Sequence, residues 1–128
     1  MATKITMEFK KGDNVNHAFK MAIADYTTGG ALYFTAKPAV DNDATDATAV
    51  IDKAFTDSVV TTDATYATWS LAFVPADITG VNFSNGERKL TYLGEFQFVS
   101  ATGVVSTFPS DDNFIEVIIY ADIRRSVS

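Results

Sequence analysis

The chain has 128 residues, a formal net charge of -6, 47% hydrophobic and 12% aromatic residues, no cysteine and a single histidine. Its hydrophobic fraction is too high for a disordered chain and sufficient to fill one core, which predicts a single domain over residues 1–128. Without cysteine there is no disulfide framework, thiolate nucleophile or cysteine-based zinc site, and one histidine rules out multi-histidine metal sites.

Apolar residues recur with a period close to two almost throughout, and no window sustains the i, i+3, i+4, i+7 spacing of an amphipathic helix. A first strand is predicted over 4–10, where Ile5, Met7 and Phe9 alternate with Thr6 and Glu8, followed by turn residues Lys11-Gly12-Asp13-Asn14. The second, 15–23, gathers Val15, His17, Phe19, Met21 and Ile23 on one face. The third, 31–37, sets Leu32, Phe34 and Ala36 against Tyr33, Thr35 and Lys37, and ends at Pro38, which cannot donate to a ladder.

Between Asp41 and Asp63 stand six Asp and one Lys, most of the net charge. The stretch from Asp41 to Thr48 reads as an exposed loop, and Ala49 to Thr56 as a short strand. Thr65 to Val74 predicts a strand whose Ala67, Trp69, Leu71 and Phe73 point inward. Pro75 to Gly80 reads as a bend or single helical turn, and Asn85-Gly86 is the strongest turn signal in the chain.

Lys89 to Val99 places Leu90, Tyr92, Gly94, Phe96 and Phe98 on one face, and Ala101-Thr102-Gly103 turns the chain toward Val104-Val105. In the last predicted strand, Phe114 to Ile123, both faces carry apolar residues. Such a strand is expected to be central in its sheet or to have its second face covered by a partner. About seven strands at this spacing predict an all-β fold, an immunoglobulin-like β-sandwich of antiparallel strands.

Catalytic and ligand chemistry finds little footing. His17 lies on an alternating apolar face, which predicts a packed histidine in place of a general base. With sixteen acidic residues, some facing carboxylate pair is inevitable and carries no information on glycosidase chemistry. Asp41, Asn42, Asp43 and Asp46 offer oxygen ligands but lack the glycine and terminal Glu of an EF-hand, so no metal site and no cofactor are expected. Asn82-Phe83-Ser84 matches a glycosylation acceptor, which has no meaning without a secretory route.

No segment approaches the run of about 20 apolar residues of a membrane helix, and the N-terminus has no secretory pattern, so a soluble chain without membrane partners is expected. A pI near 4.5 argues against nucleic acid. Lys10-Lys11, Arg88-Lys89 and Arg124-Arg125 are only pairs, read as solvated charges at strand ends. Trp69, Tyr66, Tyr92 and Tyr33 could serve as sugar-stacking platforms, which leaves a glycan-binding adhesion module as the alternative function, although a sandwich core also uses such residues.

Several short motifs resemble, in order, those of phage immunoglobulin-like virion domains similar to the N-terminal domain of the phage upper baseplate protein. They are Lys11-Gly12-Asp13, Leu32-Tyr33-Phe34-Thr35-Ala36-Lys37, Pro75-Ala76-Asp77-Ile78-Thr79, Gly94-Glu95-Phe96-Gln97-Phe98, Gly103-Val104-Val105-Ser106-Thr107-Phe108-Pro109 and Ile118-Ile119-Tyr120-Ala121-Asp122-Ile123. The third departs from the pattern in having Ile78 before Thr79. The resemblance implies a non-enzymatic structural component of the virion, on the tail, baseplate or capsid surface, made in the host cytoplasm. Its expected partners are other virion proteins or copies of itself, in a homo-oligomer or larger symmetric assembly. With no appendage after the last strand, the chain is expected to serve in assembly and not as a complete receptor-binding fibre. Contacts are expected at the last strand and the chain end, through Phe114, Glu116, Ile118, Tyr120, Arg124 and Arg125, by burial of apolar surface and by ladder pairing at an open edge.

Overall fold

A computed structural model describes residues 4–38, 49–84, 86–108 and 114–121. Nine strands are present among them: β1 (Lys4–Lys10), β2 (Val15–Ala22), β3 (Ala31–Lys37), β4 (Ile51–Thr56), β5 (Val60–Thr62), β6 (Tyr66–Phe73), β7 (Lys89–Val99), β8 (Val105–Phe108) and β9 (Phe114–Tyr120). Among the described residues, helical structure is confined to single 3-10 turns at Ile23–Asp25, Asp57–Val59 and Pro75–Asp77, the last being the turn expected after Pro75. The period of two thus builds sheets, as the alternation of apolar residues requires.

The strands form two sheets. One has the order β1-β9-β7-β3-β4, with β8 also paired to β7, and the other has the order β2-β6-β5. Not every pair is antiparallel: β1 and β9 run parallel, Lys4 opposite Phe114 and Lys10 opposite Tyr120. The first and last strands meet only after the whole domain has crossed between them, so the local pattern of neither one reveals the pairing. The two strands beyond the expected seven are β5 and β8, of three and four residues, too short to establish a period of their own.

Alternation decides which side chains are inside. Leu32, Phe34 and Ala36 of β3, Phe96 and Phe98 of β7 and Ile115, Val117 and Ile119 of β9 are buried from one sheet, and Met21, Ala67, Trp69, Leu71 and Phe73 from the other. Aromatic rings join the layers: Phe73 meets Phe9 edge-on at 5.0 Å and Phe34 at 5.7 Å between centroids, while Phe19 stacks on Phe96 at 4.3 Å. Trp69 contributes its ring to the same interior and donates its indole N–H to Met21 Sδ at 3.3 Å. Ile5 is the exception on this face. At the start of edge strand β1 it remains 47% exposed.

Turns are fixed by acidic side chains taken from the charged middle of the sequence. Asp63 Oδ1 accepts the backbone N–H groups of Thr65 and Tyr66, both at 2.7 Å, and these bonds hold its carboxyl below the ordinary value of 3.8. A lowered folded-state pKa stabilises the native state above the unfolded value, and that stability is lost as pH falls through the folded value. Asp63→Asn is therefore expected to flatten the fall in melting temperature on acidification below about pH 4, read from paired thermal melts of wild type and variant. An unchanged acid limb in the variant would show that this turn does not couple to folding.

Candidate functional site

The last strand, expected to carry the interface, lies inside its sheet. β9 pairs with β1 along its whole length and with β7 from Ile115 to Tyr120, so both of its hydrogen-bonding edges are occupied. This corrects the expectation of ladder pairing through that strand. A strand apolar on both faces is here a central strand, and what it presents outward is side chains. The open ladder edges among the described residues are the outer sides of β1, β4, β8, β2 and β5.

Two of those edges carry local protection. Lys53 points inward from β4, with Nζ bonded to the Ala72 carbonyl at 2.9 Å and to Asp77 Oδ2 at 2.7 Å, and lying 5.5 Å and 5.7 Å from the ring centroids of Phe55 and Phe73. An inward charge on an edge strand would be left buried by a new strand pairing there. On β1, His17 Nε2 lies 3.0 Å from the Glu8 carbonyl oxygen, and its ring sits 4.9 Å from Phe9 and 6.2 Å from Phe73. His17 is thus the half-buried packed residue expected from its place in β2.

On the outer face of the six-stranded sheet, Glu116, Ile118 and Tyr120 stand in a row along β9, each half-buried. Cross-strand neighbours are Thr6 and Leu93 for Glu116, Glu8 and Thr91 for Ile118, and Lys10 and Lys89 for Tyr120. The Tyr120 hydroxyl donates to Glu8 Oε2 at 2.9 Å; this bond, and then partial burial and the Glu8 charge, raise the phenol above its ordinary 10.0. The bond ties the Tyr120 ring to Glu8, the cross-strand neighbour of Ile118. Phe114 opens β9 opposite Lys4, whereas Arg124 and Arg125 lie outside the described residues.

Sequence reading missed a convergence at one end of this sheet. β1 and β9 both end where β7 begins, so Lys10, Tyr120 and Lys89 fall in one cross-strand row. The ladder closes there through Lys11 N–H to the Tyr120 carbonyl at 3.0 Å and Ala121 N–H to the Arg88 carbonyl at 2.8 Å. An open cavity of about 340 Å³ is lined by Lys10, Arg88, Tyr120 and Ala121. Two of the basic pairs, nearly eighty residues apart in sequence, thus share one site; only the strand directions, which the sequence does not state, bring them together.

The remaining candidates separate. Trp69 and Tyr92 are buried, while Tyr33 and Tyr66 are exposed on the outer faces of different sheets, so the four aromatic residues do not make one stacking platform. Asp41, Asn42, Asp43 and Asp46 lie outside the described residues. Asp57, farther along the acidic segment, accepts the Gly29 N–H at 2.6 Å. Among the described residues, no group of three or more His, Asp or Glu side chains could hold a metal ion, and no helix is long and apolar enough to cross a membrane. No family model matches the chain, and neither does any curated protein.

Proposed function

We propose that this protein is a non-enzymatic, immunoglobulin-like structural component of a phage virion that works through protein–protein contacts. The layout of the two sheets supports the fold part of this reading: β2-β6-β5 opposes β1-β9-β7-β3-β4, the arrangement of a variable-type immunoglobulin sandwich. It departs from antibody domains in having no disulfide and in carrying its buried tryptophan on β6. Of the motifs behind the resemblance, Lys11-Gly12-Asp13 follows β1, Leu32 to Lys37 lies in β3, and Gly94 to Phe98 lies in β7.

The observation that carries the assembly part is the row Glu116, Ile118 and Tyr120. A half-buried isoleucine and tyrosine on a central strand face outward between the polar or charged neighbours Glu8, Thr91, Lys10 and Lys89, a small apolar centre with a polar rim, as docking faces have. Ile118→Lys tests it, because the added charge sits beside Glu8 in the folded domain and leaves the core untouched. The variant is expected to enter particles at least about tenfold less than wild type, the effect of losing roughly 1.4 kcal/mol of contact, with its melting temperature held. Incorporation equal to wild type would remove this face from the proposal.

A further inference from the structure

Resting on that assembly reading, we infer that the basic end of the six-stranded sheet is a docking site for an acidic segment of a neighbouring polypeptide. Four of the ten cationic residues of a chain with net charge -6 gather there: Lys10, Lys11, Arg88 and Lys89. Lys11 Nζ is bound to the Val81 carbonyl at 2.6 Å. The side chains of Lys10, Arg88 and Lys89 make no hydrogen bond or ion pair with another described residue; the ion pair among those residues is Lys53–Asp77. Two acids near them are already engaged, Glu87 with the Ser84 N–H at 2.6 Å and Glu8 with the Tyr120 hydroxyl at 2.9 Å.

The chemistry of this end favours carboxylates spread along a chain. Phosphate sites are usually built on converging backbone N–H groups. Here the N–H groups of Lys11 and Ala121 are spent on the ladder, so the positive charge offered at the open cavity comes from long cationic side chains. Arg88 can take one carboxylate through both guanidinium N–H edges, Lys10 and Lys89 can take others, and the floor of Tyr120 and Ala121 accepts an apolar residue between them. The acidic balance of the whole chain opposes an extended polyphosphate such as duplex nucleic acid. A short acidic segment avoids that long-range repulsion.

The test is fluorescence anisotropy of a short labelled peptide alternating aspartate and glycine, titrated with the full chain at low and at physiological salt. Saturable binding at low salt is expected, weakened about tenfold or more by physiological salt and by the Lys10→Ser, Arg88→Ser double variant, whose melting temperature should match wild type. No binding at low salt, or equal affinity in the double variant, would overturn the inference. So would displacement of the peptide by inorganic phosphate at comparable concentration, which would mark a small-anion site. Incorporation of the wild-type chain into particles is measured alongside. If it incorporates while the peptide fails to bind, only the acidic-segment site falls; if it does not incorporate, the assembly reading falls.

Discussion

Trp69→Ala is expected to destabilise the domain by about 3–5 kcal/mol, a large share of the stability of a domain this size. Its ring is fully buried, packs edge-on toward Phe98 at 6.0 Å and Tyr26 at 6.2 Å, and bonds Met21 through the indole N–H. Truncation removes the largest fully buried side chain from between the sheets and leaves a cavity that two hydrogen-bonded layers cannot close. Trp69→Phe, which keeps most of the volume and loses the weak bond to sulfur, should cost clearly less. Urea unfolding at constant m value measures both; a loss below about 1 kcal/mol for the alanine variant would mean that the layers repack around the hole. The same burial makes this residue unsuitable for testing sugar recognition, since its removal would report on folding first.

Gly94→Ala is expected to cost about 1–3 kcal/mol, although adding a methyl group normally stabilises a strand by restricting the unfolded chain. Gly94 lies in β7 between Ala36 of β3 and Ile115 of β9, and an added Cβ would stand 2.8 Å from Val117 Cγ2 and 3.2 Å from the Phe34 ring. Val117 and Phe34 are both fully buried, so neither can swing out of the way. Because the obstruction is one methyl group, the Gly94→Ala, Val117→Ala double variant should lose less than the sum of the two single losses, a coupling of about 0.5 kcal/mol or more in a double-mutant cycle. Strict additivity would show that the strain lies elsewhere.

Where alternation is clean and a turn follows, the sequence is read closely. β1, β3 and β7 begin and end where the pattern places them, because Lys11-Gly12, Pro38 and the Ala101–Gly103 turn stop each run. Inward faces follow from the same pattern, with Trp69 as the clearest case. What escaped was set by distant partners. The parallel pairing of β1 with β9 depends on how the whole chain wraps, and Val60–Thr62 becomes a strand because β6 offers it an edge. Of the Asn85-Gly86 signal, Asn85 lies outside the described residues; around Gly86, Glu87 N–H is bonded to the Ser84 carbonyl at 2.9 Å, and the chain leads into β7 without closing a hairpin.

The candidate surface was legible only in part, for the same reason. Apolar residues on both faces of 114–123 indicate a strand that is central or covered by a partner, and Glu116, Ile118 and Tyr120 can be named from parity alone. That the strand has no free edge, and that Lys10 and Lys89 flank Tyr120, required knowing its neighbours. Pairs of basic residues that look like scattered strand ends become one charged site once strand direction is fixed.

Hydroxyl-radical footprinting of the chain, free and within purified particles, addresses assembly through the outer face of the six-stranded sheet most directly. Tyr120 and Ile118 should be several-fold less reactive in the particle than in the free chain, while Tyr66, exposed on the other sheet, keeps its reactivity. Equal reactivity of Tyr120 and Ile118 in both states, or absence of the chain from the particle, would contradict the account.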